Sequence, residues 1–253
     1  MSMFEIVFSP TGGTEKVSGL VTGTLDGNIV TVDLTDSGLD FHGVSMAKGD
    51  VAVISVPSYA GRVPAVAVER LGMVRGNGAR AVLVCVYGGR AFEDTLIELE
   101  DVAKRAGFRV VAAVSAIAEH SVARQFAAGR PDAQDVAQLS EFAQRIRQKL
   151  LDGAASEPSI PGNRPYKQVG GHSMVPHATV DCVSCGACAA LCPVRAIDKE
   201  DPRQVDGEAC ISCMRCVSVC SQNAREPNPA ALSAVTKMLS KVCVVRKECE
   251  LFI

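Results

Sequence analysis

The chain has 253 residues and a formal net charge of −2; 47% of its residues are hydrophobic and 21% are charged. This length suits two domains better than one small core, and the composition is ordinary for a folded protein. The near-neutral charge offers no basic field for nucleic acid or an anionic membrane surface. No apolar run approaches the roughly 18 residues of a membrane span. The first residues, MSMFEIVF, carry no basic segment or cleavage site, so we expect no secretory signal and a cytoplasmic location.

The first 151 residues alternate strand and helix patterns. Short apolar or β-branched runs predict five strands, in MFEIVF, NIVTVDL, DVAVISVPS, ARAVLVCVYG and FRVVAAVSAIA. Helical spacing of apolar residues predicts the intervening helices TEKVSGLVTGTL, VPAVAVERLGMV, AFEDTLIELEDVAKRAG and DAQDVAQLSEFAQRIRQKLL. This alternation predicts an α/β domain over residues 1–151, with a doubly wound five-stranded parallel sheet.

The remaining chain divides into three parts. Residues 152–178 are rich in Gly, Pro and Ser and predict a linker that wraps the surface with local order. Residues 179–227 are dense in cysteine and predict a small α+β domain. Residues 228–253 contain a helical pattern, AALSAVTKMLSKV, and a tail ending RKECELFI. From the sequence this tail could cover a metal site, dock on the sheet domain or join a homodimer.

Eight of the eleven cysteines lie in two matching segments, CVSCGACAALCP and CISCMRCVSVCS. Both have the C-x2-C-x2-C-x3-C spacing. In a reducing compartment disulfides are disfavoured, so metal ligation is the leading interpretation. The spacing lets the first three cysteines of one segment hold an iron–sulfur cluster, while the fourth ligates the other cluster.

This rule predicts two crossed ligand sets, and it places the start of a helix at each fourth cysteine. Cluster one would be held by Cys182, Cys185, Cys188 and Cys220. Cluster two would be held by Cys210, Cys213, Cys216 and Cys192. Structural zinc is the alternative, but zinc sites use four ligands, usually as two separated pairs, and two tight quartets fit that pattern poorly.

The segment Cys182–Cys220 resembles a bacterial 2[4Fe-4S] ferredoxin. CPVRAI matches the Cys-Pro and Ala-Ile of that family, whereas Ser221 stands where the second half usually has proline. The departure removes no ligand. Cys85 lies within an apolar strand and is expected to be a small buried side chain. Cys243 and Cys249 have little local context for a reactive thiolate.

Three loops follow predicted strands, where a doubly wound sheet binds its ligands. SPTGGT leads into a helix, and its glycines and hydroxyls suit a phosphate group at the helix N-terminus. It has neither a Walker lysine nor a G-x-G-x-x-G pattern. PSYAGRVP and YGGRAFED each carry a tyrosine, and two rings at neighbouring strand ends favour a bound planar ring over simple packing at the core rim.

The SPTGGT loop resembles the phosphate loop of a flavodoxin. Taken whole, the chain resembles the flavodoxin–ferredoxin fusions called EFR1 family ferrodoxins, in SPTGGT, YAGRVP, YGGRAFEDTL, PGNRPY and RKECELFI. The resemblance implies FMN, with phosphate on the first loop and the ring between the other two. The implied contacts are Ser9, Thr11, Gly12, Gly13, Thr14, Pro57, Ser58, Tyr59, Ala60, Gly61, Tyr87, Gly88, Gly89 and Arg90.

Three further side chains follow strands. Arg62 and Arg90 would either contact flavin oxygens or a partner's carboxylates, or simply be solvated. His120, after the fifth strand, could approach the flavin or lie on the surface.

These features together predict a redox protein that transfers electrons between FMN and two [4Fe-4S] clusters, as a carrier between a donor and an acceptor. Its partners would be redox proteins or a small molecule, and oxygen-labile clusters imply an anaerobic setting. One alternative is an FMN-dependent reductase of a quinone, nitro compound or flavin, fed through the clusters. Another is a ferredoxin whose sheet domain docks partners without flavin. The sequence identifies no catalytic acid–base pair.

Overall fold

A computed structural model describes residues 2–25, 28–153, 156–170 and 174–253. Its N-terminal part alternates strands and helices in the predicted order. The elements are β1 (Met3–Val7), α1 (Gly13–Leu25), β2 (Ile29–Asp33), β3 (Val51–Pro57), α2 (Ala65–Met73), β4 (Arg80–Tyr87), α3 (Thr95–Arg105), β5 (Arg109–Ile117) and α4 (Ala133–Leu151).

The five strands form a parallel sheet in the order β2-β1-β3-β4-β5, which is the flavodoxin-like order. Side chains of successive strand residues point to opposite faces of the sheet. In β4, Leu83 belongs to the core beneath α2 and α3, whereas Val82 and Val84 belong to the core beneath α1 and α4. Because both faces are covered, the central strands are continuous apolar runs. The predicted α/β fold is confirmed.

Helix α3 begins four residues later than the pattern predicts, at Thr95 rather than Ala91. The reason is Asp94, which is fully buried at the N-cap position. Its carboxylate accepts hydrogen bonds from the backbone N–H groups of Asn163 (2.8 Å) and Lys167 (2.6 Å). A distant segment therefore determines where this helix starts.

That segment belongs to the predicted linker. Its described residues, 156–170, pack along α3 without helix or strand. Arg164 forms an ion pair with Asp101, and Arg62 donates to the Lys167 carbonyl oxygen (2.7 Å) while stacking over Tyr166. These contacts hold the linker against the sheet domain.

The C-terminal tail returns to the sheet domain. After α7 (Pro229–Leu239), the strand β8 (Glu250–Phe252) pairs antiparallel with β5 and adds a sixth strand that the five-strand prediction lacked. The Arg246 guanidinium bonds the Asp132 carboxylate (2.6 Å), and Arg130 donates to the Lys247 carbonyl oxygen (2.8 Å). Of the three destinations open from the sequence, the tail therefore docks on the sheet domain.

The cysteine-rich part is a small unit with two short helices and a two-stranded ribbon. The ribbon pairs β6 (His177–Ala178) with β7 (Arg225–Glu226), so this unit begins within the stretch predicted as linker. Helix α5 (Ala187–Ala190) contains Cys188, and α6 (Arg215–Ser218) contains Cys216. The prediction that each fourth cysteine starts a helix is wrong: the third cysteine lies in the helix, and the fourth follows its end. Among the described residues, no helix is long and apolar enough to cross a membrane.

Candidate functional site

A cleft of about 540 Å³ lies at the carboxyl ends of β1, β3, β4 and β5. Its walls on the sheet domain are the three predicted loops and a fourth loop after β5. The predicted residues that line it are Thr11, Gly13, Thr14, Pro57, Ser58, Tyr59, Ala60, Tyr87, Gly88 and Arg90. This position is where an open α/β sheet binds ligands.

The first loop turns tightly into α1. Gly12 has φ +84°, a left-handed conformation that favours glycine, and Ser9 Oγ accepts the N–H of Glu15 (2.9 Å) at the start of the helix. The first N–H groups of a helix have no intrahelical acceptor, and they carry a partial positive charge. Thr14 is buried at this point and lines the cleft. The loop thus presents hydroxyl and N–H donors without a lysine.

The second and third loops each bring a tyrosine to the cleft. Tyr87 is 7% exposed and packs edge-on against Phe92, with ring centroids 5.6 Å apart. Burial, with a smaller effect from nearby Cys213, raises the pKa of Tyr59 well above its usual value. Both phenols therefore stay neutral, and their rings form apolar walls.

Four of the implied flavin contacts do not themselves line the cleft, although each is next to a residue that does; they are Ser9, Gly12, Gly61 and Gly89. Arg62 does not line the cleft, and it bonds both carboxylate oxygens of Glu98 at 2.7 Å. Arg62 therefore joins α3 to the linker through an ion pair. It is neither a flavin contact nor a freely solvated side chain in this structure.

Arg90 and His120 do reach the cleft. Arg90 pairs with Glu93, whose carboxylate also accepts from Lys167 (2.7 Å). The Arg90 guanidinium, more than Lys167, lowers the pKa of Glu93 to about 2. Both cations are thus partly neutralised at the rim.

His120 closes the floor of the cleft beside Gly88, where a Cβ would come within 2.5 Å of the imidazole ring. Its Nδ1 accepts the N–H groups of Val122 (3.2 Å) and Ala123 (3.1 Å). Burial, assisted by the positive charge of Arg90, lowers the pKa of His120. The ring is therefore neutral at pH 7, with its proton on Nε2.

The remaining walls were not predicted, and they come from the rest of the chain. Met174 and the loop residues Ile211 and Ser212 line the cleft from the cysteine-rich unit, and α7 adds Val235, Met238 and Leu239. No local sequence pattern indicates that these residues line a cleft. Ile211 and Ser212 lie inside a cysteine motif, and the α7 residues have the spacing of an ordinary amphipathic helix.

The eight cysteines line two small cavities in crossed sets. One cavity is bounded by Cys192 with Cys210, Cys213 and Cys216. The other is bounded by Cys220 with Cys182, Cys185 and Cys188. Each predicted quartet is therefore brought together, although its fourth member lies in the other segment.

The two fourth cysteines have equivalent surroundings. Cys192 Sγ accepts the N–H of Ala196, and Cys220 Sγ accepts the N–H of Ala224, both at 3.3 Å. Backbone N–H groups aimed at sulfur stabilise thiolates and tune cluster potentials. No three His, Cys, Asp or Glu side chains in the described part of the chain are placed to hold one metal ion.

The other three cysteines lie outside these cavities. Cys85 is fully buried in β4, as predicted. Burial raises the pKa of Cys243, and it raises that of Cys249 to about 11. Neither tail thiol is ionised near pH 7, so neither has the character of a redox switch.

Comparison with known proteins identifies the cysteine-rich part and finds solved structures that are similar to the N-terminal part. Residues 174–227 match the family model for the 4Fe-4S dicluster domain. Ferredoxin Fdx2 of Sorangium cellulosum is 32% identical over 75 residues, covering 27% of this chain and 74% of that protein. Solved flavodoxins align with the N-terminal part. The flavodoxin of Streptococcus pneumoniae TIGR4 is 20% identical; the alignment covers 58% of this chain and 99% of that flavodoxin, with a TM-score of 0.41. Flavodoxin 2 of Bacillus cereus is 15% identical; the alignment covers 59% of this chain and 99% of that flavodoxin, with a TM-score of 0.44.

The sheet order defines the N-terminal part as a flavodoxin-like domain, and the cysteine-rich part is an iron–sulfur domain. The chain belongs to the ferredoxin family, with a 4Fe-4S dicluster domain that follows a flavodoxin-like domain.

Proposed function

We propose that this chain is an electron-transfer protein that binds FMN in the cleft and two [4Fe-4S] clusters in the cysteine cavities. One observation supports this most directly. The cleft where a flavodoxin-like sheet would hold its ligand extends to Ile211 and Ser212, between Cys210 and Cys213. FMN supplies a centre that accepts one or two electrons, and each cluster passes one.

The residues present fit FMN. The first loop offers hydroxyl and N–H donors to the phosphate, chiefly through Thr11 and Thr14. Tyr59 and Tyr87 provide flat apolar walls for the ring. A cleft of about 540 Å³ is within the usual range for a small-molecule site.

The residues also fit two clusters. We assign Cys182, Cys185, Cys188 and Cys220 to cluster one, and Cys210, Cys213, Cys216 and Cys192 to cluster two. The C-x2-C-x2-C-x3-C spacing and the crossed cavities support this assignment over two zinc sites.

A carrier role fits the cleft better than turnover of a bulky substrate. The cysteine-rich unit and α7 cover the side of the cleft that faces away from the sheet. The partners would then be external one-electron redox proteins that meet the iron–sulfur domain. A cytoplasmic location and an anaerobic setting remain predictions from the sequence.

Anaerobic purification of the full chain, with flavin, iron and sulfide counted, tests the proposal. We expect one FMN with about eight iron and eight sulfide per chain, as two four-iron clusters require. Bound zinc with negligible iron would contradict the cluster assignment. Full iron content without FMN would instead favour a flavin-free docking domain, and steady turnover of quinones, nitro compounds or free flavins would favour the reductase.

A further inference from the structure

We propose that the ferredoxin domain contributes directly to the flavin site: the Ser212 hydroxyl forms a hydrogen bond with the flavin ring, and cluster two is the cluster that exchanges electrons with it. This inference rests on the proposed function, since it requires FMN in the cleft. It adds a cofactor-binding residue from the second domain and an order of electron transfer.

The first argument is an unpaired buried hydroxyl. Ser212 lines the cleft, and its Oγ is closed off from solvent and has no hydrogen-bond partner among the described residues, so a rotation about χ1 is what would turn it towards a bound ring. A buried polar atom without a partner is destabilising, so such groups in native proteins ordinarily meet a ligand or water. The polar edge of a flavin carries carbonyl oxygens and ring nitrogens that can accept from a hydroxyl.

The second argument is an internal comparison between the repeated motifs. Cys182-Val183-Ser184-Cys185 and Cys210-Ile211-Ser212-Cys213 are closely similar in sequence, and both serines have left-handed backbones, with φ +53° at Ser184 and +54° at Ser212. Their surroundings differ. Val183 is 65% exposed, whereas Ile211 packs on the core of the sheet domain. Of these two motif loops, only the one with Ile211 and Ser212 lines the cleft.

The third argument is the way in which the domains are held together. Arg215, between Cys213 and Cys216, donates to Thr35 Oγ1 (2.9 Å), and Arg70 of α2 donates to the carbonyl oxygen of Pro193 (2.5 Å), next to Cys192. Both contacts join the sheet domain to the surroundings of cluster two. By contrast, Val180 and Val183, beside the cavity of cluster one, are 94% and 65% exposed.

The order of centres is therefore flavin, cluster two, cluster one, external partner, and electrons can move in either direction along it. With these groups bound, Cys192, Cys210, Cys213 and Cys216 would hold the cluster that exchanges single electrons with the flavin, and Cys182, Cys185, Cys188 and Cys220 would hold the cluster that exchanges them with the partner. Two such one-electron transfers would oxidise the reduced flavin, and its proton would pass to water.

The test compares matched variants of the full-length protein carrying FMN and both clusters. Ser212→Ala removes the hydroxyl, and Ser212→Gly removes it while tolerating the left-handed backbone. Ser184→Ala and Ser184→Gly are the matched controls in the other motif. FMN dissociation constants, flavin midpoint potentials, cluster potentials and iron content are measured for all four.

We expect both Ser212 variants to bind FMN about tenfold more weakly, as for the loss of one hydrogen bond, with the flavin potential lowered. The potential falls because a donor stabilises the electron-rich reduced ring more than the oxidised ring. The Ser184 variants should bind FMN within about twofold of the wild type.

Three outcomes are distinguishable. A wild-type protein with full iron and no FMN overturns the proposed function itself. If the wild-type protein binds FMN and both Ser212 variants bind it equally tightly, only the inference about this loop is overturned. Loss of iron or a shifted cluster potential, with unchanged FMN affinity and flavin potential, would show that Ser212 serves the cluster and not the flavin, and would also overturn the inference.

Discussion

Arg215 Nη1 donates a hydrogen bond to Thr35 Oγ1 at 2.9 Å, joining residues 180 positions apart. The same nitrogen approaches the carbonyl oxygen of Ser9 at 3.4 Å. Arg215, which lies between Cys213 and Cys216, thus contacts two loops of the sheet domain. The loop that contains Ser9 is the proposed phosphate loop.

Replacing Arg215 should weaken the docking of the two domains. We expect Arg215→Met to lose about 1–3 kcal/mol of interdomain interaction, typical of hydrogen bonds from a charged donor. Limited proteolysis should cut the linker faster in this variant, with the iron content retained. Arg203→Met is the control, because Arg203 bonds the Cys182 carbonyl oxygen within its own domain. Equal cleavage of both variants would contradict the prediction.

Substitutions in the proposed phosphate loop should weaken FMN binding without affecting the clusters. Thr14→Ala and Thr11→Ala should each weaken FMN binding about tenfold, the effect of one lost hydrogen bond, without changing the iron content. Fluorescence titration of the apoflavin protein measures the affinity. Thr24→Ala lies near the other end of α1, where the hydroxyl donates to the Leu20 carbonyl oxygen, and it should bind FMN normally. Unchanged affinity in both loop variants would mean that this loop does not hold the phosphate.

Arg225 should raise the potential of the clusters. It is 3% exposed, lines the cavity of cluster one, and donates to the carbonyl oxygens of Pro176 and Pro202, while its Nε has no hydrogen-bond partner in the described part of the chain. A buried cation favours the more negative, reduced cluster. Arg225→Gln should therefore lower a cluster potential by roughly 60 mV, a tenfold change in the one-electron equilibrium.

Arg225→Lys keeps the charge and serves as the control in the same redox titration. Its potential should remain near the wild-type value. Equal shifts in Gln and Lys variants would attribute the effect to packing rather than charge.

His120 predicts a pH dependence of stability. Burial lowers the pKa of His120 in the folded state, whereas in the unfolded chain the pKa is about 6.5. Below about pH 6.5 the unfolded chain therefore binds a proton at His120 more readily than the folded protein does. The stabilisation by neutral His120 is present above pH 6.5 and is lost as the pH falls below it. The advantage in apparent Tm of wild type over His120→Gln should shrink between pH 7 and pH 5. A constant difference would contradict this, and the exposed His42→Gln provides the control.

The strands, helices and cluster motifs could be predicted because their signals are local. Continuous apolar runs such as β4 indicate strands buried on both faces, and the cysteine spacing of each motif suits a cluster. The start of α3 was misplaced because Asp94 is satisfied by Asn163 and Lys167, about 70 residues away. The strand β8 escaped prediction because three residues carry little periodicity, and pairing with β5 gives them their structure.

The sequence by itself determined the fold class, the two cysteine quartets and the loops that face the cleft, because periodicity and ligand spacing are properties of neighbouring residues. Only the tertiary structure decided which cluster motif meets the cleft. Val183 and Ile211 occupy equivalent positions in nearly the same motif, yet one is exposed and the other is packed against the sheet domain. That difference arises from contacts such as Arg215 with Thr35, which bring together surfaces that no local pattern connects.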